Sequence, residues 1–168
     1  TTDAGDAAVE HARKDPDRLK LTPNELEFLG EDTVVTIVPK FSHVVLKFIS
    51  GDFGPFHPHR PADAPLWLAI TLKKRQKCRI QCPSWMSVES LESTLTFEKE
   101  GGEFSGSMPF HYMEVSSLLL ANAADDIPEP ERVRKLLEDI YCIRALKIRN
   151  GIEAVLDEAS QEALPGWA

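Results

Sequence analysis

The sequence predicts an α+β protein in which a small strand-containing domain precedes a mainly α-helical C-terminal domain. Residues 33–38 and 43–49 are rich in β-branched side chains and predict two strands. Beyond residue 61 the apolar side chains take a helical spacing, and residues that cap helices recur. Three prolines between residues 54 and 61 predict an extended linker. We therefore expect a small domain at 22–61 and a helical domain at 62–168.

The N-terminal region divides into a tail and a short helix. Residues 1–21 are charged and Ala/Asp-rich, which predicts a mobile tail because few large apolar side chains could offset the entropy of ordering. Thr22, Pro23 and Glu25 have the spacing of a capping box, and Gly30 is placed to end the helix that follows.

Punctuating residues mark the ends of the predicted elements. Pro39 is expected to close the first strand, and Gly51-Asp52 to form the turn after the second. Asp63 and Ser87 are placed to cap the first two of four helices. The helices are expected at 62–79, 88–100 and 109–123, and from 129 onward. Apolar side chains of the fourth helix spread over more than one face, which indicates packing against several neighbours or another chain.

Composition and charge exclude several classes of protein. The chain has 168 residues, 42% of them hydrophobic and 27% charged, and its net charge is −8. This profile is typical of a soluble intracellular protein, and the negative charge argues against DNA binding as its main independent activity. No apolar run is long enough to span a membrane. Three cysteines form an odd, sparse set that fits free thiols in a reducing compartment.

No motif points to catalysis, a cofactor or a metal. The sequence contains neither a Gly-x-Ser-x-Gly elbow nor a glycine-rich phosphate loop. His57 and His59 form the one close histidine pair, but a zinc site needs further ligands at workable spacing. Cys78 and Cys82 are four residues apart without a second pair, and we interpret them as helix-spaced thiols. A metalloenzyme centred on the histidines is kept as a remote alternative, which stoichiometric zinc in the purified protein would support.

The first helix carries two features that suggest partners. Five of the seven residues from Lys73 to Arg79 are cationic. A helix C-terminus favours some positive charge, and the surplus suggests a surface for an acidic protein or for phosphate. A nucleic-acid-binding module that uses residues 73–79 is therefore the alternative function. Upstream, Leu66, Trp67 and Ile70 belong to an apolar run that faces nearly every direction, so we expect another chain to cover it.

A series of motifs runs along the chain: the strand 34–42, the Gly-Asp-Phe-Gly-Pro-Phe turn at 51–56, Pro-Leu-Trp-Leu-Ala-Ile at 65–70, Arg-Gln-Lys-Cys-Arg at 75–79, Pro-Ser-Trp-Met at 83–86, Tyr-Met-Glu at 112–114, Asp-Asp-Ile-Pro at 125–128 and the helix at 140–149. These motifs occur in the order found in the second Psf-type subunit of the GINS replication complex, and the sequence resembles that family over about residues 25–150.

The resemblance implies a non-catalytic subunit of a heterotetramer. Four related subunits would each carry a helical A domain and a smaller B domain, and the B domain comes first in this type. The family's complex joins the MCM motor ring and a cell-division-cycle cofactor in the CMG helicase, which acts at replication forks in the nucleus. DNA contact by this subunit is expected to be indirect or weak.

The sequence departs from the family pattern at both ends. Residues 1–20 lack a counterpart, and residues 162–168 show no sign of the further helical segment that follows the fourth helix in relatives. Asn150-Gly151 is expected to interrupt that helix. Partner contacts are expected at these candidate residues: Leu66, Trp67, Ile70, Lys73, Lys74, Arg75, Lys77, Arg79, Tyr141, Arg144 and Ile148.

Overall fold

The structure is a computed structural model that describes residues 21–162, with side chains described up to residue 156. Apart from Leu21, the predicted tail lies outside the described residues, as do residues 163–168. Five helices and five strands are described: α1 (Pro23–Gly30), β1 (Val34–Pro39), β2 (Leu46–Phe48), β3 (Gly51–Phe53), β4 (Ala62–Pro65), α2 (Leu66–Lys74), β5 (Cys78–Ile80), α3 (Val88–Glu100), α4 (Tyr112–Asn122) and α5 (Pro130–Glu162). The predicted α+β class is confirmed.

Helix α1 begins and ends where the sequence predicts. Thr22 accepts a hydrogen bond from the Glu25 N–H at 3.3 Å, and the Glu25 carboxylate accepts one from the Thr22 N–H at 2.7 Å. These two bonds are the reciprocal pair of a capping box. At the other end of the helix, a Cβ added to Gly30 would lie 2.9 Å from Cβ of Glu114, so the glycine allows α1 to pack closely on α4.

A three-stranded antiparallel sheet in the order β4-β1-β5 replaces part of the predicted first helix. The helix expected at 62–79 is wrong at both ends, because α2 covers only Leu66–Lys74. Asp63 lies in β4 and accepts a hydrogen bond from Thr36 at 2.9 Å instead of capping a helix. The strand β5 alternates buried Cys78 and Ile80 with exposed Arg79, a period of two that suits a strand. The domain boundary at residue 61 remains a prediction, and the sheet pairs strands from both sides of it.

Backbone groups of the neighbouring segments fix both ends of α2. The Leu66 N–H donates to the carbonyl of Thr33, which satisfies one of the donors left free at the start of the helix. At its C-terminus, the Lys77 N–H donates to the Leu72 carbonyl at 2.9 Å and the Gln76 N–H to the Lys73 carbonyl at 2.8 Å. Gln76 has a φ of 57°, so α2 ends in a Schellman motif with a left-handed glutamine.

The second predicted strand is shorter than expected. Strands β2 and β3 form a separate two-stranded hairpin whose turn lies at residues 49–50, so the turn expected at Gly51-Asp52 is wrong. The expected linker at 54–61 also contributes to the core. Phe56 is fully buried and bridges to His43, and its ring lies 5.6 Å from that of Phe41. An apolar side chain among the prolines thus ties this segment to the N-terminal unit.

The remaining helices follow the predicted order. Ser87 accepts a hydrogen bond from the Ser90 N–H at 3.2 Å and caps α3, as expected. Helix α5 continues through Asn150-Gly151, so the predicted interruption is wrong. One glycine costs about 1 kcal/mol in a helix interior, which the helix-forming residues around it offset. Among the described helices, none combines the length and apolar character needed to cross a membrane.

Candidate protein-interaction surfaces

Asp126 neutralises part of the basic run. Its side chain is 4% exposed, and its carboxylate lies 2.7 Å from Lys73 Nζ and 3.3 Å from Arg79 Nε. It also accepts a hydrogen bond from the Ile80 N–H at 2.8 Å. Burial alone would raise the pKa of Asp126, but the hydrogen bonds from Lys73 and Ile80 outweigh this and hold the pKa below its usual value. Asp126 therefore fastens the segment after α4 to α2 and β5.

Only part of the basic run is available to a partner. The Lys73 side chain is 13% exposed and also pairs with Asp125 at 2.7 Å, which removes Lys73 from the expected contact residues. The Arg79 side chain is mostly exposed, although its Nε contacts Asp126. Lys74, Arg75 and Lys77 are exposed, and none of them forms an ion pair within the part of the chain that the structure describes.

The apolar run on α2 is covered by its own chain, contrary to expectation. Leu66 is fully buried and Ile70 is 6% exposed, because β1, β4, β5 and α4 pack around this short helix. Both are core residues and are withdrawn as interface candidates. Trp67 is half-buried, and its ring makes edge-to-face contacts with Phe48 at 5.1 Å and Phe53 at 6.0 Å. One side of α2 thus borders the β2–β3 hairpin.

Helix α5 carries an apolar stripe that the described chain leaves open. Tyr141, Ala145, Ile148, Ile152 and Val155 are spaced alternately by four and three residues, and we call this set the α5 seam. Four of the five are between 52% and 64% exposed, with Ala145 half-buried. A 3.5-residue period of apolar side chains is the pattern by which one helix packs along another. The seam extends over about 21 Å at 1.5 Å per residue.

A groove lies beside the first part of this seam. It has a volume of about 670 Å³ and is bounded by Tyr141 and Ile148 on one side and by Phe104 and Phe110 on the other. Phe110 is 88% exposed and Phe104 is 50% exposed. Large apolar side chains gathered around a concavity are typical of a protein-binding surface. The candidates Tyr141 and Ile148 therefore share one surface.

Arg144 forms the wall of the groove and is occupied within the chain. Its Nε donates to Glu98 at 2.8 Å, one of its terminal nitrogens donates to the Ser105 carbonyl at 2.9 Å, and its guanidinium lies 5.1 Å from the centre of the Tyr112 ring. Its side chain is 16% exposed. Arg144 thus supports the groove through contacts within the chain, and its direct contact with a partner remains a prediction.

Four residues that shape these surfaces were not predicted from the sequence: Glu98, Phe104, Phe110 and Asp126. No local pattern distinguishes a buried glutamate on a helix from its exposed neighbours, and Phe104 and Phe110 lie in a loop without periodicity. The alternation of four and three residues beyond Tyr141 was a readable signal for the α5 seam.

The histidines and cysteines lie in separate environments. His59 lies in a turn with a φ of 62°, Cys78 is buried in β5, and Cys142 is exposed on α5. No group of three or more His, Cys, Asp or Glu side chains suited to a metal ion occurs among the described residues. Cys78 lies in a strand, so the interpretation of Cys78 and Cys82 as helix-spaced thiols is wrong.

Two family patterns cover most of the chain. Residues 22–81 match the PSF2 N-terminal domain, and residues 85–166 match the GINS complex protein helical bundle domain. The first match ends just after β5, so it includes all three strands of the sheet.

Curated relatives align over both parts. The chain is 42% identical to the DNA replication complex GINS protein PSF2 of Homo sapiens, over 83% of this chain and 75% of the relative. It is 46% identical to the Xenopus laevis protein of that name (75% and 68% covered) and 37% identical to that of Schizosaccharomyces pombe (82% and 74%). Proteins of this family are non-catalytic subunits that take part in DNA replication. The chain therefore belongs to the PSF2 family of DNA replication complex GINS proteins.

Proposed function

We propose that the chain is a structural subunit of a GINS heterotetramer, and that the α5 seam and its groove bind a helix of another GINS subunit. The α5 seam is the observation that carries this proposal. A stripe of four large, exposed apolar side chains at heptad spacing is costly to leave in water, and a second helix packed along it would bury them. Membership of the PSF2 family supports the identity of the partner.

The tetramer would serve the replicative helicase. Its partners would be the other three GINS subunits, and through them the MCM motor ring and the cell-division-cycle cofactor of the CMG helicase. The complex would support initiation and fork progression in the nucleus. The role in replication is tested in an extract of synchronised cells in which a variant of the α5 seam replaces this chain. If DNA replication requires the assembled tetramer, DNA synthesis should fail in that extract.

The proposal is tested by co-expressing the full chain with the three other GINS subunits of the same organism. Native mass spectrometry should show one copy of each. The double variant Ile148→Glu with Ile152→Glu places two charges on the seam and should abolish assembly. The control Asn150→Glu with Ala154→Glu adds the same charge at exposed positions of α5 outside the seam and should assemble normally. A seam variant that assembles as well as the control would refute the assigned surface.

DNA binding by the basic run is the weaker candidate. Lys73 is held by Asp125 and Asp126, and Arg79 contacts Asp126, so three of the five cations remain for phosphates. Three phosphate contacts with single-stranded DNA give a salt dependence of only about −2 in log–log slope. A steeper slope for the purified chain would favour this alternative over an indirect contact.

A further inference from the structure

A second groove lies on the N-terminal part of the molecule, between α2 and the β2–β3 hairpin. It has a volume of about 470 Å³, and we call it the Trp67 groove. Phe41, Leu46, Phe48 and Trp67 supply its apolar lining, and Arg75 and Lys77 lie on its rim. It is formed by elements other than α5, so it is separate from the surface proposed for subunit assembly. Its size suits one large side chain and its neighbours rather than a whole helix.

The apolar lining continues onto the exposed side of the hairpin. Phe48 is 41% exposed, and Ile49 at the adjoining turn is fully exposed. An edge-to-face contact with Trp67 and a tilted contact with Phe53, whose ring centre is 6.1 Å away, hold the Phe48 ring in place. The described chain therefore presents an ordered aromatic surface that a partner could cover without reorganising it.

The backbone that carries the cationic rim is held by a helix-ending turn. Arg75 and Lys77 flank Gln76, the left-handed residue of the Schellman motif that ends α2. Both side chains are exposed and have no ion-pair partner within the described residues. Two cations on a fixed turn lose little backbone freedom when they bind carboxylates. In a chain whose net charge is −8, a rim that is positive on one edge of an apolar groove selects an acidic partner.

We propose that the Trp67 groove binds a short acidic peptide segment of a partner protein. One large apolar side chain of the peptide enters between Trp67 and Phe48, and flanking carboxylates pair with Arg75 and Lys77. Single-stranded nucleic acid fits less well. The edge-to-face rings are partly covered by each other, and two rim cations neutralise few phosphates. This site does not depend on the proposed role of the α5 seam.

A peptide-display library of random 12-residue sequences tests the proposal. Binding peptides are selected with the full chain as the target, in the assembly with which the chain purifies. Selected sequences should combine several carboxylates with one aromatic or large aliphatic residue. Fluorescence anisotropy with the selected peptides should show at least a tenfold weaker affinity for Arg75→Glu with Lys77→Glu. Thr71→Phe, which fills the groove from α2 without adding charge, should also weaken binding.

The matched control is Lys99→Glu with Lys135→Glu, which makes the same change in net charge at exposed residues outside the groove and should bind as the unmodified chain does. All variants should retain subunit assembly, which separates this test from that of the α5 seam. The proposal is overturned if the selected peptides lack an acidic consensus, or if they bind the variant Arg75→Glu with Lys77→Glu as tightly as the unmodified chain. It is also overturned if a 20-nucleotide oligo(dT) binds more tightly than the peptides and is lost on the same rim reversal.

Discussion

Replacing Glu98 by glutamine should destabilise the chain more than any comparable change on an exposed helix surface. The Glu98 side chain is fully buried between α3 and α5. One of its oxygens accepts hydrogen bonds from Arg144 Nε at 2.8 Å and the Ser105 N–H at 2.9 Å, and the other accepts one from Lys147 Nζ at 2.8 Å. Glu98 thus joins both helices to the loop that carries Phe104.

The magnitude follows from the number and exposure of these contacts. A hydrogen bond to a charged group contributes about 1.5–3 kcal/mol, and removing one partner of a buried ion pair costs about 3–5 kcal/mol. Glutamine retains one carbonyl oxygen, and Arg144 and Lys147 are 16% and 17% exposed, so water can partly solvate the cations that remain. We therefore expect the free energy of unfolding to fall by about 3 kcal/mol.

Urea unfolding followed by circular dichroism at 222 nm measures this loss. With a slope of about 2 kcal/mol per molar, the midpoint should fall by about 1.5 M. The control is Glu100→Gln on the same helix, an exposed position where the change should stay within about 0.5 kcal/mol. If Glu98→Gln and Glu100→Gln unfold at the same urea concentration, the buried network is not the support that the geometry indicates.

The pH dependence gives a second measure of the same effect. Burial alone would raise the pKa of Glu98, but hydrogen bonds from Lys147, Ser105 and Arg144 outweigh it and lower the pKa from its ordinary value of 4.5. A carboxylate whose folded pKa is depressed stabilises the protein above its unfolded pKa and loses that contribution as the pH falls through the folded value. The gap between unmodified chain and Glu98→Gln should be constant near neutral pH and shrink below about pH 4.5.

Two further predictions concern Asp126 and the thiols. Asp126→Asn should lower the free energy of unfolding by about 2 kcal/mol in the same urea assay, because Lys73 loses its buried partner. Asp125→Asn, at a side chain 74% exposed, should change it little, and equal losses would contradict the assigned role. Iodoacetamide at pH 8 should modify exposed Cys142 first and Cys78 last, because burial raises the pKa of Cys78 to about 11. Peptide mass spectrometry measures the order, and equal rates would contradict the burial of Cys78.

Local signals predicted much of the fold because their causes are local. The capping box at Thr22 and the cap at Ser87 depend on residues three positions apart, and both form as expected. The strands β4 and β5 depend on pairing with β1, which adjoins neither in sequence, so a helix was predicted across them. Leu66 and Ile70 were expected to be covered by other residues, and they are buried. The sheet that buries them was not predicted, because it includes β4 and β5.

The candidate interaction residues were limited by the same non-local effect. Cationic residues at 73–79 look equivalent in sequence, and only the fold shows that Asp126 engages Lys73 and Arg79 while Arg75 and Lys77 stay exposed. The apolar candidates Tyr141 and Ile148 are exposed, although Arg144 and Lys147 between them contact Glu98 of α3. Helical periodicity identifies such a stripe but does not say which part of a long helix its own chain will cover.

Two buried carboxylates determine which cationic side chains are engaged within the chain. Asp126 engages Lys73 and Arg79 at the end of α2, and Glu98 engages Arg144 and Lys147 beside α5. Arg144, which Glu98 binds, lines the α5 groove, whereas Arg75 and Lys77 on the rim of the Trp67 groove are bound by neither carboxylate and are free to bind a partner. A charged residue beside a groove is therefore informative about partners only after its contacts with buried carboxylates are known. On this reasoning the Trp67 groove selects an acidic peptide through its two unpaired cations, whereas the α5 groove, whose cations are occupied, selects an apolar helix.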